Sequence, residues 1–129
     1  MENCIFCKIA KGEIPSFVVW EDENFLAFLD AGQINPGHTL LIPKKHTDYL
    51  FDIEDKEYQE LMLKAKKIAK ILKSKLNPKR VGLAVEGFGV PHVHLHLVPI
   101  NHGNELNPER ATHPKPEELK KIADIINDR

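Results

Sequence analysis

Residues 92–97 read His-Val-His-Leu-His-Leu, a histidine at every second position with an apolar residue in each gap. That spacing leaves a chain few options. A strand alternates its faces with period two, so His92, His94 and His96 point one way and Val93, Leu95 and Leu97 the other. At about 3.3–3.4 Å of rise per residue, the outer two imidazoles would stand roughly 13–14 Å apart. One metal, bonded at about 2.0–2.1 Å to each nitrogen, would not reach all three. The row must divide its labour, with at least one histidine doing something other than ligating. Three unpaired histidines on a solvent face are the plain alternative.

A chain of 129 residues fits one domain spanning 1–129, with a core that removes about two-thirds of the unfolded surface from water. Formal net charge is -1, with both signs interspersed, which gives no electrostatic reason to expect nucleic acid or a membrane surface as partner. No apolar run approaches the roughly 20 residues that span a bilayer. The start lacks a signal-peptide pattern and carries Glu2, so the cytoplasm is the expected location. In that compartment two cysteines three apart point to metal or redox use more than to a structural disulfide.

Along the chain, Asn3 is placed to cap a short helix from Cys4 to about Lys11, ended by Gly12. Phe17 to Trp20 and Phe25 to Leu29 read as a hairpin around the turn residues Glu21 to Asn24. Thr39 to Ile42 is a short strand stopped by Pro43. Leu61, Ala65, Ile68, Leu72 and Leu76 recur at helical spacing and predict a long helix from about Asp55 to Leu76, closed by Asn77-Pro78. Arg80 to Glu86 reads as a strand, the histidine strand runs to Pro99, and a final helix covers Pro116 to about Asn127. Strands mixed with helices, and one long helix between two strand groups, suggest an α+β fold on an antiparallel sheet.

Cys4-Ile5-Phe6-Cys7 is a C-x-x-C at a helix start, open between zinc, redox use and two inert core cysteines. A redox pair usually follows a strand in a βαβ setting, which is absent here, so zinc leads. Two thiolates need two more ligands to close a tetrahedral structural site. A second cluster, Asn35 to His46, puts His38 at the mouth of a strand and His46 just past its end. Imidazoles near one another gain partners that fix their tautomers.

Together, the Cys4–Pro15 segment, the hairpin ending Phe28-Leu29-Asp30, the Gly37–His46 block and the His92–Val98 motif resemble the histidine triad (HIT) family of nucleotidyl hydrolases and transferases. The resemblance covers most of the chain, and its H-φ-H-φ-H-φ-φ signature is met in full. It implies a five-stranded antiparallel sheet with helices on one face. It also implies a homodimer built through the long helix and the histidine region, binding a purine nucleotide. By the same resemblance His94 is the nucleophile, attacking the α-phosphorus to form a nucleotidyl-histidine. An imidazole with an ordinary pKa of about 6.5 is largely neutral at pH 7, which suits that role.

His96 and His38 would bind phosphate oxygens or work around the leaving group, and Asp30 would accept from the ribose hydroxyls. Phe6, Ile9 and Phe28 would form the slot for the base, with core packing as their ordinary reading. Cys4, Cys7, His46 and His92 would complete a structural zinc site. The loop Glu86–Pro91 departs from many relatives in lacking a longer Gly-Gln-Ser/Thr-type stretch; the N–H groups of Gly89 and Val90 are the candidates for an oxyanion cradle. The favoured activity is hydrolysis of a phosphoramidate-type purine nucleoside monophosphate conjugate. Dinucleoside polyphosphate hydrolysis, a nucleotide-binding regulatory module with weak chemistry and a metal-dependent hydrolase are the alternatives.

Overall fold

A computed structural model describes residues 3–128. Five strands, β1 (Val18–Glu21), β2 (Phe25–Leu29), β3 (Thr39–Pro43), β4 (Arg80–Ala84) and β5 (Leu95–Ile100), form one sheet in the order β1-β2-β3-β5-β4, every neighbouring pair antiparallel. Helices α1 (Ile5–Ala10), α2 (Asp55–Leu76) and α3 (Pro116–Ile126) complete the regular structure, with single 3-10 turns at Leu50–Asp52 and Pro108–Arg110 that local sequence did not announce.

The central strands are buried on both faces, and their alternation sorts two cores. Phe25, Ala27, Leu29, Leu41, Leu95 and Leu97 pack with Leu61, Ala65, Ile68 and Leu72 of α2 and with Leu119, Ala123 and Ile126 of α3. Leu26, Phe28, Leu40 and Ile42 face the other way, against Phe6, Cys4 and Cys7 at α1. The long and C-terminal helices therefore share one face, while α1 lies on the other, where the resemblance had placed all helices together. The second face needs only a short cover, because the cysteine cluster and a cavity occupy the rest of it.

Three details set up the site. The N-cap of α1 is Cys4, not Asn3: its Sγ accepts from the Cys7 N–H at 3.4 Å, so the capping bond itself draws the two cysteines together. The end of α2 packs against the loop before His38 through Gly37. That residue has φ +99°, and a Cβ there would lie 2.2 Å from Leu76 Cδ1 and 3.0 Å from Pro99 Cγ. Finally, β5 begins at Leu95 rather than at His92. Cross-strand pairing ends at Leu95 on the β3 side and at His96 on the β4 side. The chain before it leaves the sheet: the Val93 N–H donates to the Thr47 carbonyl at 2.7 Å, and His92 Nε2–H to the Pro43 carbonyl at 2.7 Å.

Candidate functional site

The facing expected of the histidine row is observed, although only His96 lies within the strand. Val93, Leu95 and Leu97 enter the α2 core, and the imidazoles sit on the α1 side, His94 and His96 with ring centroids 5.2 Å apart. Phe6 of α1 meets His94 edge-on at 5.1 Å and His92 at 6.1 Å. Its ring touches both imidazoles edge-on.

His92 turns away from the cavity to the cysteines. Its Nδ1 lies 3.3 Å from Cys4 Sγ and 3.4 Å from Cys7 Sγ, and His46 Nδ1 is 3.3 Å from Cys7 Sγ. All four donor atoms fall within 4.8 Å of one another. A tetrahedral zinc with bonds of about 2.3 Å to sulfur and 2.0–2.1 Å to nitrogen sets nitrogen and sulfur about 3.6 Å apart, so the residues fit the ion. Because His92 Nε2–H is spent on Pro43, Nδ1 keeps the lone pair a metal requires. Burial pushes the His92 pKa below its ordinary value, which also favours the neutral ligand form.

His38, His96 and Asp30 form the second cluster. Its proton positions follow from one backbone amide. The Ile34 N–H donates to His38 Nδ1 at 3.1 Å, so neutral His38 carries its proton on Nε2. That Nε2–H faces His96 Nδ1 at 2.9 Å and Asp30 Oδ2 at 3.5 Å. His96, accepting at Nδ1, then keeps its own proton on Nε2. Burial drives the His38 pKa down to about 4, against the pull of the Asp30 carboxylate, and the neighbouring His96 lowers it further. Burial likewise lowers His96, with His94 adding to it. Both rings are neutral at physiological pH. Metal binding at His38 Nε2 would require removing the proton that the Ile34 amide holds there, which argues against this cluster as a catalytic metal site.

His94 donates through Nδ1–H to the His92 carbonyl at 2.7 Å, leaving the lone pair on Nε2. His94, His96, His38, Asp30, Phe6, Ile9, Phe28, Gly89 and Val90 all line one cavity of about 960 Å³. Phe6 and Phe28 meet edge to face at 5.6 Å. Of the two amides expected to cradle an oxyanion, Val90 N–H is already engaged with the Phe88 carbonyl at 3.1 Å, a γ-turn centred on Gly89 at φ +85°.

The residue that sequence reasoning missed is Gln33. It is 2% exposed, and its amide donates to the carbonyls of Asp30 (2.6 Å) and His38 (2.8 Å). Its Oε1 accepts from the N–H groups of Gly37 (2.8 Å) and His38 (3.2 Å). One side chain thus fixes the loop that joins the carboxylate to the histidine. The only available signal was a glutamine between Gly32 and Ile34 in a loop flanked by two candidate residues.

The HIT domain model matches residues 11–103. The chain belongs to the HIT family. Protein hit of Bacillus subtilis is 38% identical, over 97% of this chain and 92% of its own length. A fission-yeast HIT relative (Schizosaccharomyces pombe), named adenosine 5′-monophosphoramidase, is 33% identical over 97% of this chain and 96% of its own length. A zinc-bound histidine triad family protein from Mycobacterium smegmatis superposes with a TM-score of 0.84 at 29% identity, covering 98% of this chain and 92% of the other. The C-x-x-C pair lies before the segment the HIT model matches, and α3 lies after it.

Proposed function

We propose that this protein hydrolyses the phosphorus–nitrogen bond of a purine nucleoside phosphoramidate through a nucleotidyl-histidine at His94. As a HIT family member it is an enzyme of the histidine triad hydrolase type, and relatives from three yeasts are named adenosine 5′-monophosphoramidase. The observation that carries the reading is the pair of tautomers. His94 has its proton held by the His92 carbonyl and its free lone pair on Nε2, while His96 is held with a proton on Nε2. A nucleophile and a hydrogen-bond donor stand side by side on one cavity wall.

In this scheme His94 Nε2 forms a bond to the α-phosphorus, and the bond from phosphorus to the leaving nitrogen breaks. The amine departs, taking its proton from water at the cavity mouth. His96 Nε2–H donates to a phosphoryl oxygen and stabilises the developing charge, the kind of contact whose removal costs about 10²–10³ in rate. Water then attacks phosphorus, the bond to His94 breaks, and the nucleoside monophosphate is released. His38 acts one step back, by holding His96 in the donating tautomer. Asp30 accepts from the ribose, and Phe6, Ile9 and Phe28 hold the base.

Zinc on Cys4, Cys7, His46 and His92 is part of the reading. It would supply cross-linking rather than chemistry, since four protein ligands leave no position for substrate. A homodimer is also part of it, supported by β4 at a sheet edge with Leu83 and Val85 exposed next to the histidine strand. No helix of the described residues is long and apolar enough to cross a membrane. Two cysteines gathered with His46 and His92, a metal-ligand arrangement, accord with a cytoplasmic location.

The test is a panel of AMP conjugates, including an amide and a dinucleoside polyphosphate, with mass spectrometry for nucleotidylated His94. The amide should turn over fastest, and His94→Asn should abolish turnover while AMP still binds. Undiminished activity in His94→Asn would overturn the mechanism.

A further inference from the structure

Among the described residues, no lysine or arginine lines the histidine cavity, and its only Asp and Glu are Asp30 and Glu86. Burial keeps His38 and His96 neutral. Sites for a chain of phosphates normally offer arginine or lysine. This one offers histidine donors for a single phosphoryl group and a carboxylate beyond them.

Strand order puts Glu86 at the end of the cavity opposite the base slot. Phe28 of that slot is on β2, the histidines are on β5, and β4 is the sheet edge on the far side of β5. Ala84 of β4 pairs with His96, so the two share a face. Ala84 and Glu86 line the cavity and Val85 between them does not, which is the alternation of an extended chain. A nucleotide with its base over β2 and its phosphorus at β5 leaves the β4 side for the group it loses. Burial lowers the His96 pKa and the carboxylates of Asp30 and Glu86 oppose it, so the charge of Glu86 is felt at the phosphate position. Glu86 has no ion pair among the described residues.

Phe88 stands beside it. The ring is 84% exposed and also lines the cavity, so it sits at the mouth. Gly87 and Gly89 flank it, both at φ +85°, and a Cβ on either would meet nothing within 4 Å. Backbone conformation, not crowding, calls for both glycines, and it turns the phenylalanine between them outward. The Val90 N–H donates to the Phe88 carbonyl at 3.1 Å and the His92 N–H to the Val90 carbonyl at 2.8 Å. Two successive tight turns thus join Phe88 to the histidine row.

We propose that Glu86 and Phe88 form the subsite for the leaving amine of the reaction proposed above, on which this step rests, and that they favour an amine bearing a second, protonated amino group. The carboxylate pairs with the ammonium, and the ring face attracts the same cation. A neutral amine gains only apolar contact with Phe88. An anionic amine, or a further phosphate, meets the repulsion of Glu86.

The experiment measures kcat/KM of the full chain on AMP phosphoramidates of diaminopropane, propylamine and β-alanine, which differ mainly in the charge of the amine's far end. Wild type should rank them in that order, with about 10-fold between the first two, the combined size of an exposed ion pair and an exposed cation–π contact. Glu86→Gln should shrink that preference to about threefold, and Phe88→Leu should shrink it by a similar factor. Glu86→Lys should place β-alanine above diaminopropane, and added salt should compress the wild-type ranking. Each preference is a ratio within one protein, so any loss of folded fraction cancels. Equal kcat/KM for all three conjugates in wild type, or the wild-type ranking unchanged in Glu86→Lys, would overturn the inference and leave the proposed function standing. Failure of wild type to release AMP from any of the three would bring down the proposed function and the subsite with it.

Discussion

His38→Asn is the substitution that tests the proton network most directly. The asparagine Oδ1 can still accept the Ile34 N–H that His38 Nδ1 accepts at 3.1 Å, so the loop keeps its bond while the titrating ring is lost. In the native protein burial pushes the His38 pKa down to about 4, from an ordinary 6.5. A histidine depressed on folding stays neutral in the native state while the unfolded chain takes up a proton. Its contribution to stability is therefore complete above pH 6.5 and is lost as the pH falls towards 4. The linkage amounts to about 2 kcal/mol at pH 5 and approaches about 3 kcal/mol below pH 4. Urea unfolding at pH 7 and pH 5 would compare the two proteins. Wild type should lose about 2 kcal/mol more than the variant over that interval, because protonation of the cysteine-site histidines and of surface groups is common to both. Equal losses would refute the tautomer assignment and the role given to His96. The same variant should lower kcat about 10²-fold with little change in AMP affinity, since His96 is no longer held as a donor.

Gln33→Glu keeps the size of the side chain but sets a carboxylate oxygen against the carbonyls of Asp30 and His38. It should cost about 2–4 kcal/mol in chemical denaturation and lower kcat/KM at least tenfold. Cys7→Ala should abolish stoichiometric zinc in elemental analysis and lower the melting temperature, and chelation of the native protein should lower it likewise. Gly37→Ala should destabilise by about 2–3 kcal/mol, because strain at φ +99° adds to contact with Leu76 and Pro99. Gly12→Ala, at φ +77° with nothing within 4 Å of its Cβ, should cost about 1 kcal/mol in the same assay.

The strands and helices were legible where periodicity was strong. The bounds of β2 and α2 match the expected Phe25–Leu29 and Asp55–Leu76, because a five-residue apolar run between turns and a four-turn apolar stripe have one folded use each. Reading failed at the places where tertiary partners decide. Asn3 is a better capping residue than cysteine by local preference, yet Cys4 caps α1 because its sulfur also belongs with His92. The alternation of residues 92–97 suggested six residues of strand, but His92 and His94 precede it, drawn off the sheet by Thr47, Pro43 and the cysteines.

What the sequence determined alone is that the three histidines face one way and would not all ligate one metal, given period two and the reach of a metal bond. The grouping of Cys4 and Cys7 with His46 and His92, and the make-up of the cavity wall, were legible only through resemblance. The tertiary structure alone decided which nitrogen does what. One proton position is set by the Pro43 carbonyl, one by the His92 carbonyl and one by the Ile34 amide. Those partners lie 49, 2 and 4 residues from the histidines they orient, and only the folded chain brings each to its ring. An imidazole has two nitrogens and one proton, so its chemistry stays undetermined until a neighbour takes one side.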